Sequence, residues 1–134
     1  MDLFQMVHGS IRWFVLIVAV VAVVKFAIGL VRGESFTSRD RALMGAFTGF
    51  VDLNVLLGII LWLLYGLLYG SWALYRIEHG VMMLIAVGFM HGTSKWRKQT
   101  DSKLQFRNSI IVIAVTFGLI LMGVLRLPQG WAGF

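Results

Sequence analysis

The chain has 134 residues, of which 59% are hydrophobic and 13% charged, with a mean hydropathy of +0.85 and a formal net charge of +6. A soluble domain carries roughly a quarter charged residues, so this composition excludes an ordinary water-soluble domain. Cysteine is absent, which excludes disulfides, iron–sulfur clusters and thiolate metal ligands.

Four apolar segments follow one another along the chain. Each can cross the hydrocarbon core of a bilayer as a helix, which takes about 20 residues. We predict helices over residues 9–32, 43–69, 72–93 and 108–126. Gly70-Ser71 interrupts the second apolar run and predicts a tight turn in an antiparallel hairpin, and Pro128 predicts the end of the last helix. The sequence therefore predicts an all-α integral membrane protein, a single domain of four transmembrane helices.

Lysine and arginine are concentrated on one side of these helices. Loops 33–42 and 94–107, with the adjoining helix ends, hold Arg32, Arg39, Arg41, Lys95, Arg97, Lys98, Lys103 and Arg107. The other side holds Arg12, Arg76 and Arg126. Because cytoplasmic loops carry the excess of positive charge, we predict that both loops are cytoplasmic and both termini lie outside. This placement accounts for the net charge without nucleic-acid binding.

Glycine pairs four residues apart occur in the second and third predicted helices and at the turn between them: Gly45 and Gly49, Gly66 and Gly70, Gly88 and Gly92. This spacing lets helix backbones approach closely in lipid. We predict tight packing within the bundle at these glycines, and the alternative is a seam between two copies of the chain.

Two ionisable residues, Lys25 and Asp52, lie inside predicted spans, where such groups are costly. Lys25 lies about 10 Å from the end of the first helix at 1.5 Å per residue, and Asp52 lies at a comparable depth in the second. We predict that they form a buried polar pair, with Asn54 as a neighbouring hydrogen-bonding group. The alternative is a proton relay, although no further carboxylate continues a path.

Two of the three histidines lie at one level of the predicted bundle. His8 stands at the outer end of the first helix and His79 near the outer end of the third. Two imidazoles on different helices can ligate one haem iron, each oriented through its second ring nitrogen. Arg12 and Arg76 lie at the same level, where they could hold the haem propionates. We predict His8 and His79 as haem ligands and the arginines as part of the site; the alternative is two interfacial polar residues.

The third histidine, His91, lies about 18 Å deeper than His79 at 1.5 Å per residue and cannot share its iron. Met44 is the only nearby candidate to join it in a second site. Apolar residues recur at helical spacing below His79, namely Met82, Met83, Ala86 and Met90. Such a stripe is typical of plain core.

No catalytic motif is present. The sequence lacks a nucleophile–base pair, paired carboxylates, a Walker-type glycine loop and a His-Glu-x-x-His zinc motif. We therefore predict no catalytic residues and no autonomous enzyme.

Three short patterns resemble those of a family of small four-helix bacterial membrane proteins labelled cytochrome b-like. They are His8-Gly-Ser-Ile-Arg12-Trp, Asp52-Leu-Asn54 with Gly58, and Glu78-His79-Gly-Val-Met-Met83 leading to His91-Gly92. The resemblance covers most of the chain and implies a multi-pass protein of the bacterial plasma (inner) membrane that binds haem. Some relatives have a histidine at the position of Asp52, so the implied haem site is reduced here to His8 and His79.

Two functional interpretations remain open. The first is an integral subunit of a respiratory or photosynthetic electron-transfer assembly that carries one b-type haem near the outer face. The second is a haem-free accessory subunit that stabilises a membrane complex. Both predict membrane lipid and other integral membrane subunits as partners, and both allow a homo-oligomer.

Overall fold

The computed structural model describes residues 3–132, and this part of the chain is helical without a strand. α1 spans Leu3–Arg32, α2 Ser38–Tyr69, α3 Leu74–Gly92, α4 Ser94–Arg97 and α5 Ser102–Leu125. Among these, α1, α2 and α5 are long and apolar enough to cross a membrane. α3 has 19 residues, but its first turns carry Arg76, Glu78 and His79, which lower its hydropathy.

Polar capping residues start α2 and α5 well before their apolar segments begin. The Asp40 carboxylate accepts hydrogen bonds from the backbone N–H of Thr37 at 2.8 Å and from its hydroxyl at 3.1 Å. Asp101 precedes α5 and accepts a hydrogen bond from the Lys103 N–H at 2.8 Å. Such side chains satisfy the N–H groups that a helix start leaves unpaired. The predicted loops 33–42 and 94–107 are therefore too long, and the second also contains α4.

The turn between α2 and α3 matches the break predicted at Gly70-Ser71. Gly70 has φ 61° and ψ 19°, the left-handed conformation that glycine adopts without a Cβ penalty. Trp72 then packs back on α2, its ring centroid 5.4 Å from that of Trp62. A Cβ at Gly66 would lie 2.2 Å from the Trp72 ring, so glycine at that position lets the ring lie against α2.

The four long helices pack around a common core. α1 packs against α2 and α5, and α3 packs against α5 and over a smaller area against α2. α1 and α3 therefore occupy opposite corners of the bundle. Five of the largest fully buried side chains are Phe26, Phe47, Met90, Phe106 and Val112. Most large side chains on the outside are also apolar, as expected of a surface that faces lipid.

Glycine packing differs from the prediction. A Cβ at Gly29 would lie 2.5 Å from the Phe106 ring, so this glycine, which is not in the pairs named above, is one of those that permit close contact. Within residues 3–132, a Cβ would meet nothing within 4 Å at Gly45, Gly49, Gly88 or Gly92. The predicted packing inside the bundle is therefore wrong at these four glycines, whereas a seam between copies stays a prediction.

The two ends of the bundle carry different polar groups. The end with the start of α1 and the turn 70–73 is termed the histidine end, and the end with segments 33–37 and 98–101 the loop end. At the histidine end the segment after α5 folds back, so that the Trp131 ring lies 5.7 Å from Trp13 and 5.8 Å from Phe117 between centroids. At the loop end, Phe36 stacks among Phe26 and Phe106 at centroid distances of 5.5 and 4.9 Å.

Candidate functional site at the histidine end

The structure brings His8 of α1 and His79 of α3 together across the bundle. Their ring centroids lie 6.4 Å apart and their planes make an angle of 86°. Because α1 and α3 occupy opposite corners, these side chains meet in the interior rather than along one helix seam. Both side chains are partly buried.

Each of these two histidines is oriented by a backbone carbonyl on a third or fourth helix. His8 Nδ1 lies 3.0 Å from the carbonyl oxygen of Asn54 in α2, and His79 Nδ1 lies 3.0 Å from that of Gly123 in α5. A carbonyl oxygen only accepts, so each Nδ1 carries the proton and donates it. In the neutral ring this leaves the Nε2 lone pair as the available acceptor or ligand.

The separation of the two rings fits a metal ion between them. Metal–nitrogen bonds of about 2 Å to each of two imidazoles allow ring centroids up to roughly 6 Å apart. The observed 6.4 Å is close to this value. Within residues 3–132 no group of three or more His, Asp or Glu side chains could hold a metal ion, so a metal held here by protein side chains alone would have the two imidazoles as its ligands.

Two glycines border this histidine pair. A Cβ at Gly58 would lie 2.9 Å from Cε1 of His8. A Cβ at Gly123 would lie 2.5 Å from Cε of Met83 and 2.9 Å from Cβ of Met82. Larger residues at either position would displace the histidines or the methionines below them.

The interior beneath the pair is closely filled. One cavity of about 10 Å³ is present there, room for a single water molecule, and it is lined by Arg12, Val15, Val51, Asn54, Val55, Met83 and Ile120. The two imidazoles are donors that would suit a haem iron, but a haem would require the surrounding side chains at this end to repack.

Both predicted propionate-binding arginines lie against aromatic rings. The Arg12 side chain is buried, and its guanidinium carbon lies 5.7 Å from the ring centroids of both Trp13 and Trp131. Arg76 lies 4.7 Å from the Tyr65 ring centroid. Its Nη1 is buried without a hydrogen-bond partner in the described part of the chain, which suits a group that would bind an anion.

The predicted pair of Lys25 with Asp52 is replaced by two separate pairs. Lys25 forms its ion pair with Asp40, and Asp52 bonds His91. The prediction fails because α2 begins at Ser38, so Asp52 lies about 21 Å along the helix at 1.5 Å per residue. Asp40, near the start of α2, is the carboxylate that the flexible lysine reaches.

Met44, the stripe below His79 and His91 are the remaining candidates from the sequence. Met44 and the stripe residues Met83, Ala86 and Met90 are buried in the core, which agrees with the interpretation of the stripe as plain core. Met44 therefore gives His91 no second ligand, and His91 is bonded to Asp52 instead.

Sequence reasoning missed the groups that orient the histidines. The carbonyls of Asn54 and Gly123 carry no side-chain signal, because any residue has a carbonyl. Thr37-x-x-Asp40, in contrast, is a recognisable capping pattern, and it could have placed the start of α2 at Ser38, with Asp40 in its first turn.

Comparison of the chain with family models, curated proteins and solved structures finds no match. The resemblance to cytochrome b-like proteins therefore stays a prediction from the short motifs.

Proposed function

We propose that this chain is a small integral membrane subunit of an electron-transfer assembly, in which His8 and His79 bind one b-type haem near the outer face. The observation that carries the proposal is the histidine pair itself. Two partly buried imidazoles from opposite corners of the bundle have ring centroids 6.4 Å apart, and each Nδ1–H donates a hydrogen bond to a backbone carbonyl.

The proposed membrane placement has four spans, with both termini outside a prokaryotic inner membrane. Three helices have the length and hydropathy of spans. The fourth span is α3, whose polar first turns include Arg76, stacked on Tyr65 of α2. The basic residues around the loop end support a cytoplasmic position for segments 33–37 and 93–101.

In this proposal each residue of the site has a separate role. His8 and His79 would hold the iron through Nε2, while the carbonyls of Asn54 and Gly123 hold the rings in the required tautomer. Arg12 and Arg76 would neutralise the propionates. A haem bound in this way supplies one-electron transfer, and a redox partner in the membrane would exchange electrons with it.

An absorption spectrum of the purified protein tests the proposal. Dithionite reduction of a bis-histidine b-type haem gives a sharp α band, and we expect that band at one haem per chain. His79→Ala should abolish it, whereas His91→Ala should leave it unchanged because His91 lies at the other end of α3. Absence of the band after expression with an ample haem supply contradicts the proposal.

A haem-free accessory subunit is the second candidate, and the close packing beneath the histidines favours it. The cavity there has room for one water molecule, and the two histidine hydrogen bonds already link α1 to α2 and α3 to α5. In that case the haem band is absent, yet His8→Ala and His79→Ala still lower the thermal stability, because each removes a hydrogen bond between two helices.

A further inference from the structure

Asp52 and His91 form a hydrogen-bonded pair on the outside of the bundle, far from His8 and His79. Both carboxylate oxygens of Asp52 lie near His91 Nε2, at 2.9 and 3.1 Å. The pair joins α2 to α3 near the end of α3. Asp52 lies 17 residues before the end of α2, and His91 lies 17 residues after the start of α3, so both are about 25 Å from the turn at 1.5 Å per residue. The histidine end and the pair are therefore separate sites.

The hydrogen bond assigns distinct roles to the two ring nitrogens of His91. A carboxylate accepts, so Nε2 carries the proton that it donates to Asp52. In the neutral ring Nδ1 is then the acceptor, and no residue in the range 3–132 bonds it. An acceptor nitrogen backed by a carboxylate is a strong partner for an incoming O–H group.

The pair faces the surroundings of the bundle. The side chains of His91 and Asp52 are 53% and 44% exposed. Several exposed side chains of the same two helices are large and apolar, namely Leu53, Leu56, Leu84 and Ile85. An ionisable pair kept on such a surface costs free energy in lipid, and a polar ligand from the membrane phase offsets that cost.

Small residues beside the pair leave room for a flat group. A Cβ at Gly88 or Gly92 would meet nothing within 4 Å in the described part of the chain. Gly88 lies one turn from His91, and Gly92 follows it directly. A ring can therefore approach His91 along α3 without displacing a side chain.

We propose that Asp52 and His91 bind the head group of a membrane-soluble hydroxyaromatic molecule of the quinol class. Its hydroxyl donates to Nδ1 of His91, and its ring lies over the glycines of α3. The Asp52 carboxylate repels an anionic phosphate head group, which favours an uncharged donor over an anionic lipid. No electron transfer is part of this step, and binding does not depend on haem at His8 and His79.

Equilibrium binding of a decyl-substituted 1,4-benzoquinol tests the site, using the full chain in phosphatidylcholine nanodiscs under nitrogen. We expect saturable binding at one site per chain. The corresponding quinone has carbonyl acceptors in place of hydroxyl donors, so it should bind at least fivefold more weakly. His91→Phe keeps a ring of similar shape on this exposed surface, and it should weaken quinol binding at least tenfold and remove the preference for quinol.

Asp101→Asn is the matched control, because Asp101 is an exposed carboxylate that caps α5 and asparagine also caps helices. This variant should bind quinol as the unmodified chain does. Equal affinity of quinol and quinone, or unchanged quinol binding by His91→Phe with an unchanged melting temperature, overturns the proposal. Loss of quinol binding by the unmodified chain in phosphatidylethanolamine nanodiscs also overturns it, because the site then binds a lipid head group.

Discussion

The Asp40 carboxylate is 1% exposed and lies where three neighbouring groups meet. Lys25 of α1 pairs with it, and the backbone N–H and hydroxyl of Thr37 donate to it. One side chain thus caps α2 and links it to α1. A buried carboxylate of this kind is stable only while its partners remain, because an unpaired buried charge is costly.

Replacing the lysine tests this dependence. Lys25→Met should lower the free energy of unfolding by about 1–2 kcal/mol. This is less than the full value of a charge-assisted hydrogen bond, because the lysine side chain is partly exposed and solvent screens its charge. The double variant Lys25→Met/Asp40→Asn should recover part of that loss. Chemical denaturation in detergent measures both.

Arg32→Gln is the control for that series. Arg32 and Glu34 form an exposed ion pair at 3.9 Å, and such pairs contribute little. We expect a change within about 0.5 kcal/mol. A loss for Arg32→Gln as large as that for Lys25→Met would contradict the role assigned to Asp40.

Gly123 gives a second prediction for a single residue. Gly123→Ala places a Cβ 2.9 Å from Cβ of Met82, an atom that cannot move without the backbone. We expect a loss of about 1–3 kcal/mol, as for other overpacked sites. Gly118→Ala on the same helix meets nothing within 4 Å in the described chain, so its stability should be unchanged or slightly raised. Thermal unfolding of the two variants separates packing from helix propensity.

The individual contacts were only partly predictable from the sequence. The level of His8 and His79 follows from helix order and length, since both lie near the first residues of α1 and α3, which run in the same direction because α2 runs back between them. The partner of Lys25 does not follow from hydropathy, because the polar first turn of α2 is invisible to an apolar-segment search. The hydropathy pattern predicts the apolar segments, whereas the position of the capping carboxylate Asp40 determines which acidic residue pairs with Lys25.

Among the helices, α3 depends most on its neighbours. Its first turns carry Arg76, Glu78 and His79, and it is not among the helices apolar enough to cross a membrane by themselves. Arg76 stacks on Tyr65 of α2, and His79 bonds the Gly123 carbonyl of α5. The neighbouring helices therefore supply the polar contacts that lipid cannot.

This dependence predicts how α3 enters a membrane. In a glycosylation-mapping insertion assay, an isolated segment 72–93 should insert poorly, and the segment 38–93 containing α2 should insert well. Arg76→Leu should raise insertion of the isolated segment, because an arginine in a span is among the costliest residues. Efficient insertion of the unmodified isolated segment would contradict the need for α2.

For the whole molecule, the proposed orientation can be tested with single cysteines, since the chain has none of its own. Ser71→Cys lies in the turn of the histidine end, and Thr100→Cys lies in the segment between α4 and α5. In intact cells a membrane-impermeant maleimide should label Ser71→Cys and spare Thr100→Cys, and permeabilisation should expose the second. The reverse pattern would show that the histidine end faces the cytoplasm.

The helix pairing has a consequence for synthesis at the ribosome. α5 packs against α1, α3 and α4, and it is the last of the described helices to emerge. Until then the Gly123 carbonyl is not present to accept the hydrogen bond from His79, and the Phe106 ring is not present to pack against Gly29. Nascent chains that stop before residue 102 should therefore remain as loosely associated helices, recognisable to membrane proteases, and maturation should occur as one late event when α5 inserts.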